Sequence, residues 1–372
     1  MRKITIWFGV GVFFAFAKAY SQSSSDNNNH EITVSGYVDG YLSGYSTELD
    51  NDQFQRYTTV GARDDTFGLN IAQLGMAYRH DKVRANVTFQ YGDIPQAIWS
   101  DTFNEIQEAN VGVKIIDGLW LDAGFFKTHV GTESFLPKEN LLSSTSVITF
   151  NEPFFQSGAS LSYEAISDWN FELWVINSYN GFVDNNDAKS VGALISYQIN
   201  DRTSITYTNN YGRESADDMS PKQRRFYQNL YMSTNWNDKI FLILGADLGL
   251  QSNSDLDDSN DTATLYTALA TLRYQFSDAF SITGRGEMYR DSSGFISGTF
   301  TNNQGITEGL DLTGLTVGAE YKPTENAYIR GEARYLTAQN GLDIFREDDG
   351  LSNERYEVLL TMGVFLDRTF RF

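Results

Sequence analysis

The sequence predicts an all-β fold, a transmembrane antiparallel up-and-down β-barrel of about 16 strands, and three observations predict it. Apolar and polar residues alternate with period two along most of the chain. The connections between the alternating stretches are short and long by turns, and after residue 16 no run of 18 apolar residues exists that could form a membrane helix. The same pattern cut slightly differently allows 14 or 18 strands. Composition narrows the chemistry: the 372 residues include no Cys, which excludes disulfide staples, thiolate metal sites and a cysteine nucleophile. With 48 Asp+Glu against 28 Lys+Arg, the net charge of −20 argues against a partner that presents phosphates, so no nucleic acid is expected.

The N-terminus reads as an address. Arg2 and Lys3 precede the apolar stretch Ile4–Phe16, and Ala17-Lys18-Ala19 supplies a small-residue cleavage site. The expected organisation is a signal peptide over 1–19, a short polar segment over 20–31 and one barrel domain over 32–372. Cleavage after Ala19 removes Arg2, Lys3 and Lys18, leaving 25 basic against 48 acidic residues and a mature charge of −23. No Cys stands at the cleavage site, so a lipoprotein anchor is excluded.

In chain order, Ile32–Tyr45 places Ile32, Val34, Val38 and Leu42 on one face and Tyr37, Asp39, Tyr41 and Tyr45 on the other. Thr66–Tyr78 follows, then Lys82–Tyr91, where Val83, Ala85, Val87, Phe89 and Tyr91 oppose Lys82, Arg84, Asn86, Thr88 and Gln90. The alternation recurs at Gln107–Ile115, Leu119–Phe125, Phe155–Tyr163, Phe171–Val175, Val191–Ile199, Thr203–Tyr211 and Arg225–Trp236. It continues at Ile240–Leu250, Tyr266–Phe276, Phe280–Asp291, Leu315–Tyr321, Ala327–Tyr335 and Tyr356–Leu366, which brings the count to 16. Seven connections are short and eight are longer and polar, at 48–65, 94–103, 130–149, 181–188, 213–223, 252–262, 291–305 and 341–353. Those counts suit a 16-stranded chain that starts in the periplasm. A soluble sandwich would also alternate, but with shorter strands and tight turns at both ends. The final residues Phe370 and Phe372 continue the apolar parity of the last strand, the form of an assembly signal read by the barrel assembly machinery.

The stretch Gly118-Leu-Trp-Leu-Asp-Ala-Gly-Phe-Phe-Lys-Thr-His-Val-Gly-Thr-Glu133 resembles the most characteristic segment of the OmpL-like, beta-barrel porin-2 family of outer-membrane porins. Gly36–Tyr41, Gln107-Glu108-Ala109, Glu152-Pro153-Phe154 and Gln156-Ser157-Gly158 are similar to other recurring pieces of that family, in the same order. The likeness departs after Asn140, where Leu141-Leu142-Ser143-Ser144 lacks the expected aromatic and basic residues. The resemblance implies a porin in the outer membrane of a Gram-negative cell, with no catalytic residues to carry over.

Catalysis has few candidates in the residues themselves. The histidines are His30, His80 and His129; His129 has no Ser at i+2 and reads as a rim residue. The acid-rich runs Asp255, Asp257, Asp258, Asp261 and Asp343, Glu347, Asp348, Asp349 lack a regular ligand spacing and read as solvated loop tips, so no metal or cofactor is expected.

With the apolar parity toward lipid, the other parity lines the lumen. It presents Glu108, Asp122, Glu164 and Glu172, with Lys114, as an acidic wall, and Arg273, Arg285, Arg330 and Arg334 as a basic wall eight strands away. A field across the lumen is one consequence; the other is that the arginines form cross-strand ladders with Glu287, Glu320 and Glu332. The Tyr face of the first strand is expected inward, as wall filling or as a sugar-stacking column.

The segment 130–149 is the third outer loop. It mixes Phe135, Leu136, Leu141, Leu142, Val147 and Ile148 with Glu133, Lys138 and Glu139, and is expected to fold inward and narrow the channel. Glu133, Phe135, Lys138 and Glu139 are its candidate constriction residues, and capping the rim is the alternative. The leading expectation is passive diffusion of small hydrophilic solutes or ions, with a mild preference for cations. The runner-up is a barrel with a plugged lumen that docks partners, and a secreted soluble β-protein is the third. Expected partners are outer-membrane lipid, the assembly machinery and the solutes, with a homo-oligomer or other outer-membrane proteins allowed.

Overall fold

The computed structural model describes residues 30–47, 53–184, 186–302, 304–347 and 350–372. The expected signal peptide and most of the polar segment after it lie outside the described residues, as do Asp348 and Asp349. Sixteen long antiparallel strands close into a barrel. They are β1 Glu31–Tyr45, β2 Thr66–Arg79, β3 Val83–Tyr91, β4 Ile106–Ile116, β5 Leu119–Lys127, β6 Phe155–Tyr163, β7 Trp169–Ile176 and β8 Ser190–Asn200. The second half is β9 Thr203–Arg213, β10 Arg224–Asn235, β11 Ile240–Gln251, β12 Ala263–Ser277, β13 Phe280–Asp291, β14 Thr307–Thr324, β15 Ala327–Ala338 and β16 Glu354–Arg371. Each strand pairs with its sequence neighbours, and β1 pairs with β16 from Glu31↔Arg371 to Tyr45↔Glu357, so no edge is left unpaired in the ring.

The alternation sorts side chains between lipid and lumen. Val358, Leu360, Met362, Val364 and Leu366 of β16 are exposed on the outside, while Leu359 and Thr361 between them are buried. Aromatic residues ring both ends of the outer surface. Trp169 stacks with Tyr197, and Tyr274 meets Phe276 edge to face, at the end with the short turns; Tyr335 packs near Tyr356 at the other. Two such girdles flanking an apolar band are what a bilayer selects.

The buried core lies inside the barrel, under the long connections. Among the described residues three elements there escape the period-two pattern: α1 Asp93–Ile98, a 3₁₀ turn at Pro137–Glu139, and α2 Val147–Asn151. Ser146 caps α2, its hydroxyl accepting from the N–H of Thr149 at 3.2 Å. Short strands at Thr299–Thr301, Phe345–Glu347 and Gly350–Ser352 also form within the long connections.

Candidate functional site

The lumen is shaped by one segment, residues 130–149, which leaves β5 and crosses to the inner wall of β12–β15. Val130, Phe135, Leu136, Leu142, Val147 and Ile148 on it are all buried. Its backbone meets a wall of complementary charge. The guanidinium of Arg285 donates to the carbonyls of Ser144 at 2.5 Å and Thr145 at 3.2 Å, and Arg330 donates to those of Pro137 at 2.7 Å and Asn140 at 3.0 Å. Arg273 donates to the carbonyl of Leu141. In the opposite sense, the N–H of Val147 donates to Glu287 at 2.5 Å, and the N–H groups of Ser143 and Ser144 donate to the Glu332 carboxylate. Wall arginines thus take loop carbonyls and wall glutamates take loop N–H groups, which satisfies a backbone segment that has no strand to pair with.

Inner-wall glycines make room for this segment. A Cβ at Gly318 would lie 2.6 Å from Leu142 Cδ2, and one at Gly245 would lie 2.5 Å from Thr132 Oγ1. Gly192 clears space for His129 in the same way. His129 is therefore an interior residue, 8% exposed, and the rim placement read from the sequence is corrected. Its Nδ1 meets Gln156 Oε1 at 2.9 Å, its Nε2 the carbonyl of Asn209 at 2.9 Å, and its ring stacks on Trp174.

The four arginines of the basic wall stand on the inner face but do not face open water: each is at most 6% exposed. Glu320 bridges Arg273 at 3.1 Å and Arg330 at 2.6 Å, and Glu287 bonds Arg334 at 2.9 Å. Arg334 also donates to the carbonyl of Tyr57 at 2.9 Å, tying a second outer segment to the wall. Burying these charges without partners would be prohibitive, so loop carbonyls and carboxylates converge on them.

On the acidic wall, Asp122 is held by a two-pronged bond from Arg84, at 2.7 and 2.5 Å, and Glu164 is paired with the same arginine at 3.2 Å. Glu172 accepts from Trp174 Nε1 at 3.0 Å and Glu108 from Asn86 at 3.0 Å. Arg84, which sits inside this wall, pairs with two of its carboxylates.

Of the candidate constriction residues, Glu133 turns onto Arg285 at 3.1 Å and Phe135 packs against Trp99 with ring centroids 4.9 Å apart. Lys138 lies over the ring of Tyr37, and the more exposed Glu139 pairs with Lys127 at 3.4 Å. Tyr37 and Tyr41 point inward but are buried beneath the outer segments. Tyr37 shares a 2.6 Å hydrogen bond with Tyr328, so the column is not free to stack a sugar. Phe370 near the end of β16 and Phe372 just beyond it are exposed, and the ring of Phe372 stacks on His30.

Burial pushes the His129 imidazole down, against the upward pull of its contacts with the Asn209 carbonyl and Gln156 Oε1. Burial would raise Glu133, but Arg285 and the Ser146 N–H outweigh it and hold the carboxyl below the usual carboxylate range.

Space remains where the loop stands off from the wall beside the arginines. A cavity of about 370 Å³ lies between the loop and β8–β12. A second, of about 290 Å³, lies toward the short turns among Gln198, Ser204, Ser233 and Asn235. Leu141 and Ile243 line both, so the two abut.

Solved structures with the same fold include porins and outer-membrane channels. The anion-selective porin from Comamonas acidovorans aligns with a TM-score of 0.61 at 11% identity, over 91% of this chain and 100% of that one. The outer membrane channel DcaP of Acinetobacter baumannii aligns with a TM-score of 0.58 at 12% identity, over 91% and 97%. OmpF of Salmonella typhi aligns with a TM-score of 0.56 at 12% identity, over 90% and 97%. Among curated protein sequences none matches the chain. Residues 31–366 match the profile of the family described as "Putative beta-barrel porin-2, OmpL-like", and with a closed barrel of 16 strands around a partly filled lumen, the chain belongs to that family of outer-membrane porins.

Proposed function

We propose that the barrel is a non-enzymatic channel for passive diffusion of small hydrophilic solutes, and that 130–149 is its constriction loop, fixed to one wall so that solutes pass along the other. The observation that carries this reading is the set of bonds from Arg273, Arg285 and Arg330 to loop carbonyls, opposite two abutting cavities beside β8–β12. Toward the short turns the passage is lined by Ser204, Ser233 and Asn235, which hydrate solutes, with Asp201 and Arg202 at its end. Acidic outer loops add a mild preference for cations that weakens as salt rises, because exposed charge is screened beyond about 8–10 Å. A homo-oligomer fits the precedent of one similar barrel, OmpT of Vibrio cholerae, solved in a trimer form.

Planar bilayer recordings test the loop's role. Deleting Phe135–Val147 should raise single-channel conductance appreciably in protein that migrates as a folded barrel. An unchanged conductance would place the loop outside the solute path, and a wild-type barrel that inserts but passes no current would favour a plugged, partner-docking barrel.

A further inference from the structure

The cavity between the loop and β8–β12 contains a carboxylate whose partner is missing. Four charged side chains line it: Lys127, Glu133, Glu139 and Glu152. Lys127 and Glu139 pair with each other at 3.4 Å, and Glu133 pairs with Arg285 at 3.1 Å. Glu152 is left over. It is 4% exposed, and neither of its carboxylate oxygens has a hydrogen-bond partner. On the facing wall the buried hydroxyl of Thr271, which lines the same cavity, has none either.

Behind this spot, among the described residues, no cation offsets the carboxylate, and the Thr149 hydroxyl and Thr132 N–H on its own segment lower its charge cost only in part. Asp247 on β11 accepts from Asn229 Nδ2 at 2.6 Å and from Thr267 Oγ1 at 2.7 Å. Asn229 also donates to Thr132 Oγ1 at 2.9 Å, which leaves its own Oδ1 without a partner. The charged groups facing Glu152 are Asp247 and Glu133, and both are acidic. Burial first, and then Asp247 and Glu133, push the Glu152 carboxyl well above the usual carboxylate range. Gly131 leaves its side clear, since a Cβ there would lie 2.9 Å from Glu152 Oε2. Native proteins rarely leave such groups unsatisfied, and a buried carboxylate least of all. What fits the gap is a donor bearing positive charge.

We propose that this cavity is a binding station for solutes carrying an ammonium or guanidinium group, with the Glu152 carboxylate taking the N–H donors and the Thr271 hydroxyl accepting one more. Leu194, Tyr231 and Ile243 on the same cavity offer apolar surface to the body of the solute. The station rests on the reading of this cavity as part of the solute path, and it names the solute class that lingers there. Because a proton on Glu152 competes with the cation, affinity rises with pH.

The test is calorimetric titration of methylguanidinium chloride into the folded protein in detergent micelles at constant ionic strength. Saturable binding is expected for the wild type, weakened at least about tenfold by Glu152→Gln, since a charge-assisted hydrogen bond is roughly twice as strong as a neutral one. Thr271→Val should weaken it by a smaller factor, and raising the pH should strengthen it. The proposal is overturned if the wild type shows no saturable binding, if affinity falls as pH rises, or if folded Glu152→Gln binds as well as wild type. Should Glu152→Gln fail to fold, equal binding by Thr271→Val overturns it. Conductance in potassium chloride is read separately: binding without conductance keeps the station and removes the open-channel reading, and conductance without binding does the reverse.

Discussion

The wall formed by β12–β15 carries Arg273, Arg285, Arg330 and Arg334, all buried beneath the loop, whereas the wall around β8–β11 presents Ser204, Ser233 and Asn235, half-open to the cavities. Both walls obey the same inward parity. The difference is that guanidinium groups offer several donors in a fixed fork, so they can hold carbonyls of an irregular segment, while hydroxyls and amides are satisfied by neighbours or water. Between these two walls, the cluster of arginines therefore marks where the lumen is filled, and the hydroxyls and amides mark where it stays open.

The largest expected effect comes from removing a fork. Arg285→Ala leaves Glu133 without its cation and the carbonyls of Ser144 and Thr145 without their donor. Breaking one side of a buried ion pair costs about 3–5 kcal/mol. Urea unfolding in detergent should show that loss, and bilayer recordings should show a higher or noisier conductance as the loop detaches. Unchanged stability would mean that the arginine wall does not anchor the loop.

Acid gives an intermediate effect with a definite sign. Glu133 sits below the usual carboxylate range because Arg285 and the Ser146 N–H overcome its burial. A depressed carboxylate contributes stability above its unfolded value, and that contribution is lost only as the pH falls through the folded value. In high salt, which screens the outer-loop acids, and in the Glu152→Gln background, conductance should therefore be the same at neutral pH and at about pH 4, where ordinary carboxylates titrate, and change only below that. A transition already complete by about pH 5 would show that the Glu133–Arg285 contact does not set the loop's position.

The smallest effect is expected on the other wall. Ser233→Ala lines the lower cavity without a structural partner to lose and should alter stability by no more than about 0.5 kcal/mol. Ser233→Trp should leave the fold intact while lowering conductance, because it fills the passage. A bulky side chain there without effect on current would place the passage elsewhere.

Much of this architecture is legible as parity. Phe280–Asp291 reads as a strand with the bounds that β13 shows, and the alternation of short and long connections agrees with the ring. Leu315–Tyr321 reads as too short because β14 begins at Thr307, and its Leu310 and Leu312 turn inward under the outer segments, against the apolar-out rule. Parity tells which face a side chain takes but not what covers that face. Hence Arg285 and Arg330 are visible as inward residues, while their bonds to Ser144 and Pro137, some 140 to 190 positions distant, are not. The helices α1 and α2 are too short to leave a periodic signal. Signals were available in the inward glycines: Gly192, Gly245 and Gly318 are sites where a wall yields space to His129, Thr132 and Leu142.

The position of the loop against the arginine wall can be measured directly, because the chain has no Cys to interfere. Ser143 Oγ and Thr361 Oγ1, the latter on β16 opposite Arg330, lie 2.6 Å apart at the edge of that contact. In the double variant Ser143→Cys, Thr361→Cys, the two thiols should join under mild oxidation in the inserted barrel, and single-channel conductance should be the same before and after reduction. Thiols that stay separate, with the one at position 143 open to a membrane-impermeant maleimide from outside, would show that the loop stands in water and that the arginine wall holds something else.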